Sequence, residues 1–442
     1  MSNTVITKPK KVSIITLGCE KNTVDSEILM GGLRSTGVEL TLDPNLADIV
    51  ILNTCGFIES AKRESIDSIL EALELKKTGN VSEVYVAGCL SERYRSDLQE
   101  ELPDVDGFFG TQDFEKIIRS VVPDALQRTG PDLQRFLLGE RILTTPKHFA
   151  YIKISEGCDN PCSFCAIPIM RGGHRSKSVE EITFEAMMLA SSGVKEIVLI
   201  AQDLTYYGLD INGTRMLCDL LRALVKVNGI EWIRLMYAYP AKFPLDILEV
   251  MASEEKIVKY LDIPVQHASS EVLKSMRRGI TRRATEDIIH TIREKVPGIA
   301  LRTTLIVGYP TEGEQEFAEL EEFVDTMRFD RLGVFTYSVE DGTTAEPLGD
   351  THTHEEKVRR QARLMELQRD ISSELNQEKI GKTLRVLIDR NENGAFYGRT
   401  EADAPEVDAE IELTSERAIV VGEMVNAVVT GADDFDLQGN VL

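Results

Sequence analysis

The chain has no run of 18 consecutive apolar residues, and its first stretch, MSNTVITKPKK, lacks a 7–15-residue apolar core. Neither a membrane-spanning helix nor a secretory signal is expected, so a cytoplasmic protein with no membrane partner is. Positive charge is also in short supply: 50 Lys and Arg stand against 73 Asp and Glu, a net charge of -23. Such a field repels phosphate backbones, so nucleic acid could bind only through a local basic patch, and a basic macromolecule is the easier partner. Cysteines number seven (19, 55, 89, 158, 162, 165, 218), an odd count in a long chain of a reducing compartment. A disulfide framework is not expected, and metal binding moves forward. Internal repeats and low-complexity runs are absent.

What is present describes an ordinary globular chain, with 42% hydrophobic and 28% charged residues over 442 positions. That length accommodates about three domains. In the first, residues 9–130, short β-branched runs at 12–17, 47–52 and 84–87 alternate with helical periodicity at 26–34 and 60–75. This is an α/β domain with a parallel sheet. Cys19, Cys55 and Cys89 each follow one of its strands, at the carboxyl edge where such sheets gather ligands. A lone cysteine there is usually a small buried residue; three at equivalent strand ends point to a shared ligand.

Residues 131–147, broken by Pro131 and Pro146, read as a linker. From 148 to 375 six strand segments (YIKIS, EIVLIAQ, WIRLMY, YLDIPV, LRTTLIVG and RLGVFTYS) are separated by helical stretches. They predict a partial α/β barrel with its chemistry at the carboxyl mouth. A charged amphipathic helix over 354–380 leads into 376–442, where short strands and turns predict a small β-barrel. That last segment carries 6 basic and 14 acidic residues.

The strongest signal is Cys158-Asp-Asn-Pro-Cys162-Ser-Phe-Cys165, a C-x3-C-x2-C run directly after the first barrel strand. Three thiolates on a short loop suit three corners of a [4Fe-4S] cubane and leave one iron open. A zinc knuckle is the alternative, but a closed zinc site needs four ligands and the nearest downstream candidate, His174, lies beyond Pro168 and two glycines. Cys218, in the apolar stripe LCDLLRAL, reads as core. His267 in PVQH reads as hydrogen-bonded support rather than an acid–base group. The charge run 312–322 reads as a solvated helix face.

The cysteine run, with Phe164 before its third member, resembles the signature of radical S-adenosylmethionine (SAM) enzymes. The resemblance implies that the open iron chelates SAM and that reductive cleavage yields a 5′-deoxyadenosyl radical. It places Phe164 near the SAM adenine. Ala201-Gln202-Asp203 stands where the family has Gly-Gly-Glu, which implies a contact from Gln202 to the SAM ammonium. Thr304, Ile306, Gly308 and Glu312 loosely follow a later glycine motif of the family. No catalytic residue beyond the cluster ligands is implied.

The segments Thr16-Leu-Gly-Cys19-Glu-Lys-Asn22 and Asn53-Thr-Cys55-Gly-Phe-Ile-Glu-Ser-Ala61 resemble the amino-terminal domain of methylthiotransferases. These hold a second [4Fe-4S] cluster, here implied on Cys19, Cys55 and Cys89, where sulfur is delivered. The domain order, ending in a TRAM-like barrel, agrees. Two subfamilies compete. CGFIESA at 55–61, HFAYIKISEGC at 148–158, LDIPVQHAS at 261–269 and ADAPEVDA at 402–409 resemble the RimO type, which modifies an aspartate β-carbon in small-subunit ribosomal protein S-twelve. The MiaB type modifies a transfer-RNA adenosine, a substrate that the acidic barrel disfavours. A two-cluster electron carrier is the rival from another class, although it would normally use four cysteines per cluster. The implied partners are ribosomal protein S-twelve or its subunit, a low-potential electron donor and a sulfur donor. Asp403, Glu406 and Asp408 are expected to attract the basic substrate.

Overall fold

The computed structural model describes residues 10–79, 81–123 and 141–442, so most of the expected linker lies outside the described residues. The chain forms two compact units: Met1–Thr144 with Ala166–Gly173, and Thr145–Cys165 with His174–Leu442.

In the first unit, strands β1 (Lys11–Thr16), β2 (Glu39–Leu40), β3 (Ile49–Thr54), β4 (Glu83–Gly88) and β5 (Gly107–Phe108) form a parallel sheet in the order 2-1-3-4-5. Every residue of β3 is buried because helices cover both faces. Ile49 and Ile51 pack with Leu29, Leu33, Ile117 and Ile118. Val50 and Leu52, pointing the other way, pack with Ile69, Ala72, Leu73 and Leu90. A period-2 strand with apolar side chains on both faces is the signature of a sheet sandwiched between helices. In this strand order the connections from β1 and β3 depart to opposite sides, opening a crevice at the carboxyl edge between them. Cys19 and Cys55 follow those two strands, and Cys89 follows the next. The three expected strands and two expected helices are all present; β2 and β5, two residues each, carry too little pattern to be read.

The second unit contains β6 (Phe149–Lys153), β9 (Glu196–Ile200), β10 (Trp232–Leu235), β11 (Ile257–Asp262), β12 (Ala300–Val307) and β13 (Arg331–Thr336), paired in that sequence as a parallel sheet. The short antiparallel pair β7 (Ser155–Glu156) and β8 (Arg175–Ser176) falls between β6 and β9 in the chain. This is the expected partial α/β barrel. The long helix His354–Gln377 follows, then a closed five-stranded barrel: β14 (Thr383–Glu392), β15 (Ala395–Thr400), β16 (Ile411–Thr414), β17 (Met424–Ala432) and β18 (Leu437–Val441). Its interior is filled by Val386, Ile388, Ile411, Leu413, Ala427 and Val429.

The closed barrel docks on the parallel sheet through buried polar side chains. Both carboxylate oxygens of Glu196 are used, one by Arg234 Nε at 2.7 Å and one by Arg399 Nη1 at 2.6 Å. Arg399 also pairs with Asp389 (2.8 Å), which meets His148 Nε2 at 2.7 Å. Tyr260 donates to Asp408 at 2.7 Å, Arg302 lies 3.3 Å from the same carboxylate, and Arg331 pairs with Asp403. The segment 402–409 is therefore a clamp within this unit. This corrects the expectation for Asp403 and Asp408, which are turned inward; Glu406 alone of the three is exposed, and it accepts from Tyr151 at 2.7 Å. The run 312–322 needs the same correction at its first member. Glu312 is buried, accepts from the Gly308 amide (2.8 Å), meets His267 Nε2 at 2.9 Å and pairs with Arg360 at 2.6 Å.

Candidate cluster and cofactor sites

In the first unit the three cysteines occupy equivalent positions just past β1, β3 and β4. Cys19 is the N-cap of the helix Glu20–Ser35, and Cys89 opens the short helix Cys89–Arg93. Cys19 is exposed, Cys55 and Cys89 buried. Gly18 explains how tightly their loops fit: its φ of +91° suits glycine, and a Cβ there would stand 2.7 Å from Cys55 Cβ and 2.9 Å from its Sγ. Gly88 has φ +96°, with a Cβ position 2.4 Å from Asn53 Oδ1.

Burial pushes the Cys55 thiol up, and pushes Cys89 up to about 12 against the pull of Arg171. Buried thiols at such values keep their protons until a metal displaces them. Arg171, from the segment Ala166–Gly173 that belongs to this unit, pairs with Asp25 at 2.7 Å and donates to Asn22 Oδ1, which lies 3.9 Å from Cys89 Sγ. Ala166 and Met170 pack directly on Cys89.

In the second unit the loop after β6 and β7 carries Cys158, Cys162 and Cys165 at the carboxyl mouth of the sheet. Asn160 Nδ2 reaches both Cys158 Sγ (3.5 Å) and Asp203 (2.8 Å). Cys162 Sγ lies 3.6 Å from Tyr239 Oη and accepts from Arg278 Nη1 at 3.4 Å. Burial raises the Cys158 thiol to about 11, with nearby Asp203 and Cys162 adding to the rise. Phe164 packs on Val272, Met276, Tyr309 and Tyr337. Gln202 donates to Glu156 Oε1 at 2.9 Å, while its own Oε1 is buried with no partner. An unpaired buried acceptor at the carboxyl end of β9 suits a ligand ammonium, since leaving it empty costs about 1–3 kcal/mol.

The expected cysteines thus fall in two sets of three, one past the strand ends β1, β3 and β4 of the first unit and one on the loop after β7 in the second. Cys218 belongs to neither: it is buried on the helix Leu217–Leu224, as expected of a core residue. His267 is fully buried; its Nδ1 accepts from the Ser269 amide and its Nε2 meets Glu312, a bracing role. His174 is engaged by Ser176. Sequence reasoning missed Asp25, Arg171, Tyr239 and Arg278. The two arginines share one faint signal, a cation beside a turn glycine in M-R-G at 170–172 and M-R-R-G at 276–279. Among the described residues no three His, Cys, Asp or Glu converge on a single-ion site; a cubane, by contrast, spreads its thiolates over separate irons.

A sequential parallel sheet whose first strand runs into a C-x3-C-x2-C loop defines a radical SAM domain, and residues 152–324 match the Radical SAM superfamily. Residues 11–110 match a model described as uncharacterized protein family UPF0004, and residues 380–442 match the TRAM domain. The chain belongs to the family of ribosomal protein uS12 methylthiotransferases of the RimO type. It is 52% identical over 435 residues to the member from Cytophaga hutchinsonii, covering 98% of each chain. It is 48% identical over 439 residues to that from Bacteroides thetaiotaomicron, covering 98% of this chain and 99% of the relative. Among solved structures, the radical SAM methyltransferase TsrM from Kitasatospora setae shares the fold, with a TM-score of 0.56 at 13% identity over 77% of this chain and 74% of that one.

Proposed function

We propose that this chain is a radical SAM transferase that places a methylthio group on the β-carbon of an aspartate in ribosomal protein uS12. The observation that carries the reading is the pair of cysteine sets, one spread over three strand ends and one on a single loop, in a chain about half identical, over nearly its whole length, to enzymes of that name. In this reading residues 9–130 form the sulfur-delivering domain, 148–375 the radical domain and 376–442 the TRAM barrel, with 131–147 joining the first two.

Two [4Fe-4S] clusters and SAM are the cofactors. When bound, they supply a primary carbon radical able to take hydrogen from an unactivated C–H, and an iron site at which sulfur is methylated and delivered. A β-hydrogen beside a carboxylate is scarcely acidic, so a side-chain base cannot readily remove it, whereas a primary carbon radical can. The protein's part is to hold and shield. Cys158, Cys162 and Cys165 ligate the radical-generating cluster; Cys19, Cys55 and Cys89 ligate the other. Gln202 Oε1 receives the SAM ammonium, and Phe164 lies beside the adenine. The aromatic and aliphatic wall behind Phe164 keeps water from a reactive carbon radical.

Substrate choice follows charge as well as kinship. With Asp389, Asp403 and Asp408 paired internally, the barrel still exposes Glu392, Glu412, Glu416, Asp433 and Asp434. They favour a basic protein over RNA, through close contacts because longer-range fields are screened beyond about 10 Å at 0.1 M salt. A cytoplasmic location, a low-potential electron donor and a sulfur donor complete the reading; among the described residues no helix is long and apolar enough to cross a membrane.

The test is a competition. Reconstituted enzyme with SAM, a low-potential reductant, sulfide and equal amounts of uS12 and transfer RNA should leave a methylthio group on a uS12 aspartate. Methylthioadenosine in the RNA with unmodified uS12 would replace this reading with the transfer-RNA one.

A further inference from the structure

The turn that follows the helix Ser270–Ser275 holds the C-x3-C-x2-C loop by three separate bonds. Ser163 N donates to the Met276 carbonyl at 3.0 Å, Ser163 Oγ donates to the Ser275 carbonyl at 2.9 Å, and Arg278 Nη1 reaches Cys162 Sγ at 3.4 Å. Arg278 is 5% exposed. Its guanidinium lies over the Tyr239 ring, 4.1 Å from the centroid, and Tyr239 Oη in turn donates to the Arg278 carbonyl at 2.9 Å. Nη2 donates to the Pro264 carbonyl, while Nε is buried with no partner. The preceding residue, Arg277, sits at φ +55°, a left-handed conformation that is strained for a non-glycine residue. Backbone strain, a stacked ring and a buried cation are thus all spent on placing one charge against one sulfur.

We infer that Arg278 is a positioning residue that donates to the Cys162 thiolate and sets the reduction potential of the cluster held there. The inference rests on the proposed ligation by Cys158, Cys162 and Cys165. Reduction adds one electron from the low-potential donor and neither makes nor breaks a bond. The added negative charge is shared with the thiolate sulfurs, so a desolvated cation beside one of them favours the reduced state. Arginine suits the task better than lysine because its planar fork can bond the sulfur, bond a carbonyl and stack on a ring at once.

The test uses the full chain with Cys19, Cys55 and Cys89 all replaced by Ala, so that a single cluster gives the signal. It compares Arg278, Arg278→Gln and Arg278→Lys by iron content and by potentiometric titration followed by electron paramagnetic resonance. With Arg278 intact the chain should hold about four irons. Arg278→Gln should keep them while reduction becomes at least about tenfold less favourable, a fall of about 59 mV for a one-electron couple. Arg278→Lys, which keeps the charge without the fork, should lie between the two. An unchanged midpoint in an iron-replete Gln variant would overturn the inference. If the Gln variant fails to load iron, an unchanged midpoint in the Lys variant overturns it equally. Absence of iron when Arg278 is intact but the first triad is removed would instead overturn the ligand assignment and the inference with it.

Discussion

Asp403 shows how completely one side chain's surroundings can reverse its meaning. Burial alone would raise its pKa, but Arg331, Lys379 and Thr400 together hold it below the usual carboxylate range. Asp389 is held down in the same way by His148 and Arg399. Asp403→Lys would set a second cation against Arg331 and should lower unfolding free energy by about 3–5 kcal/mol, the cost of breaking a buried pair. A salt-dependent loss of uS12 affinity without that destabilisation would mean that Asp403 faces the partner after all. The pH dependence has a definite sign. Because both folded pKa values lie below the unfolded value of about 3.9, their contribution is complete well above pH 4 and is lost as pH falls through the folded values. Denaturant midpoints should therefore drop in acid, and less steeply in Asp403→Asn. The six cysteines proposed as cluster ligands stand out in the sequence because each sits in a short local pattern. The partners of Asp403 were not, since Arg331 is 72 residues away and charge pairing over such spans leaves no local trace.

At the scale of elements, legibility followed the same rule. Every strand of the parallel sheets with four or more residues overlaps a segment read as a strand, although YLDIPV at 260–265 begins three residues later than β11, and the long helix His354–Gln377 showed itself by its charged amphipathic pattern. The two-residue strands β2 and β5 are defined by pairing with β1 and β4, not by their own residues. The proposed cluster ligands lie past strand ends and not within strands, and there glycine is the informative residue. In the turn from β1 to Cys19, Gly18→Ala would place a methyl group against Cys55 in a left-handed backbone. We expect a stability loss of roughly 1–3 kcal/mol by denaturant unfolding. Iron content should fall from about eight to about four per chain, since only the first triad is disturbed. A variant retaining all its iron would show that Cys19 and Cys55 need not approach each other to bind a cluster.

Across the whole molecule, the proposed reading divides the chemistry between two units, while the residues matching the TRAM domain share a unit with most of those matching the radical SAM superfamily. Removing residues 376–442 would leave Arg331 without Asp403 and Glu196 without Arg399. The shortened chain should therefore unfold more readily and lose SAM cleavage along with substrate binding, rather than losing substrate binding alone; a truncated chain of unchanged thermal stability would show that the buried charge network carries little weight. If one set of cysteines serves radical formation and the other sulfur delivery, the two half-reactions can be parted. The full chain with Cys19, Cys55 and Cys89 replaced by Ala, reconstituted and reduced with SAM and uS12, should still form 5′-deoxyadenosine but transfer no methylthio group. The chain with Cys158, Cys162 and Cys165 replaced should form neither product. Methylthiolated uS12 from the first variant, or 5′-deoxyadenosine from the second, would contradict the account.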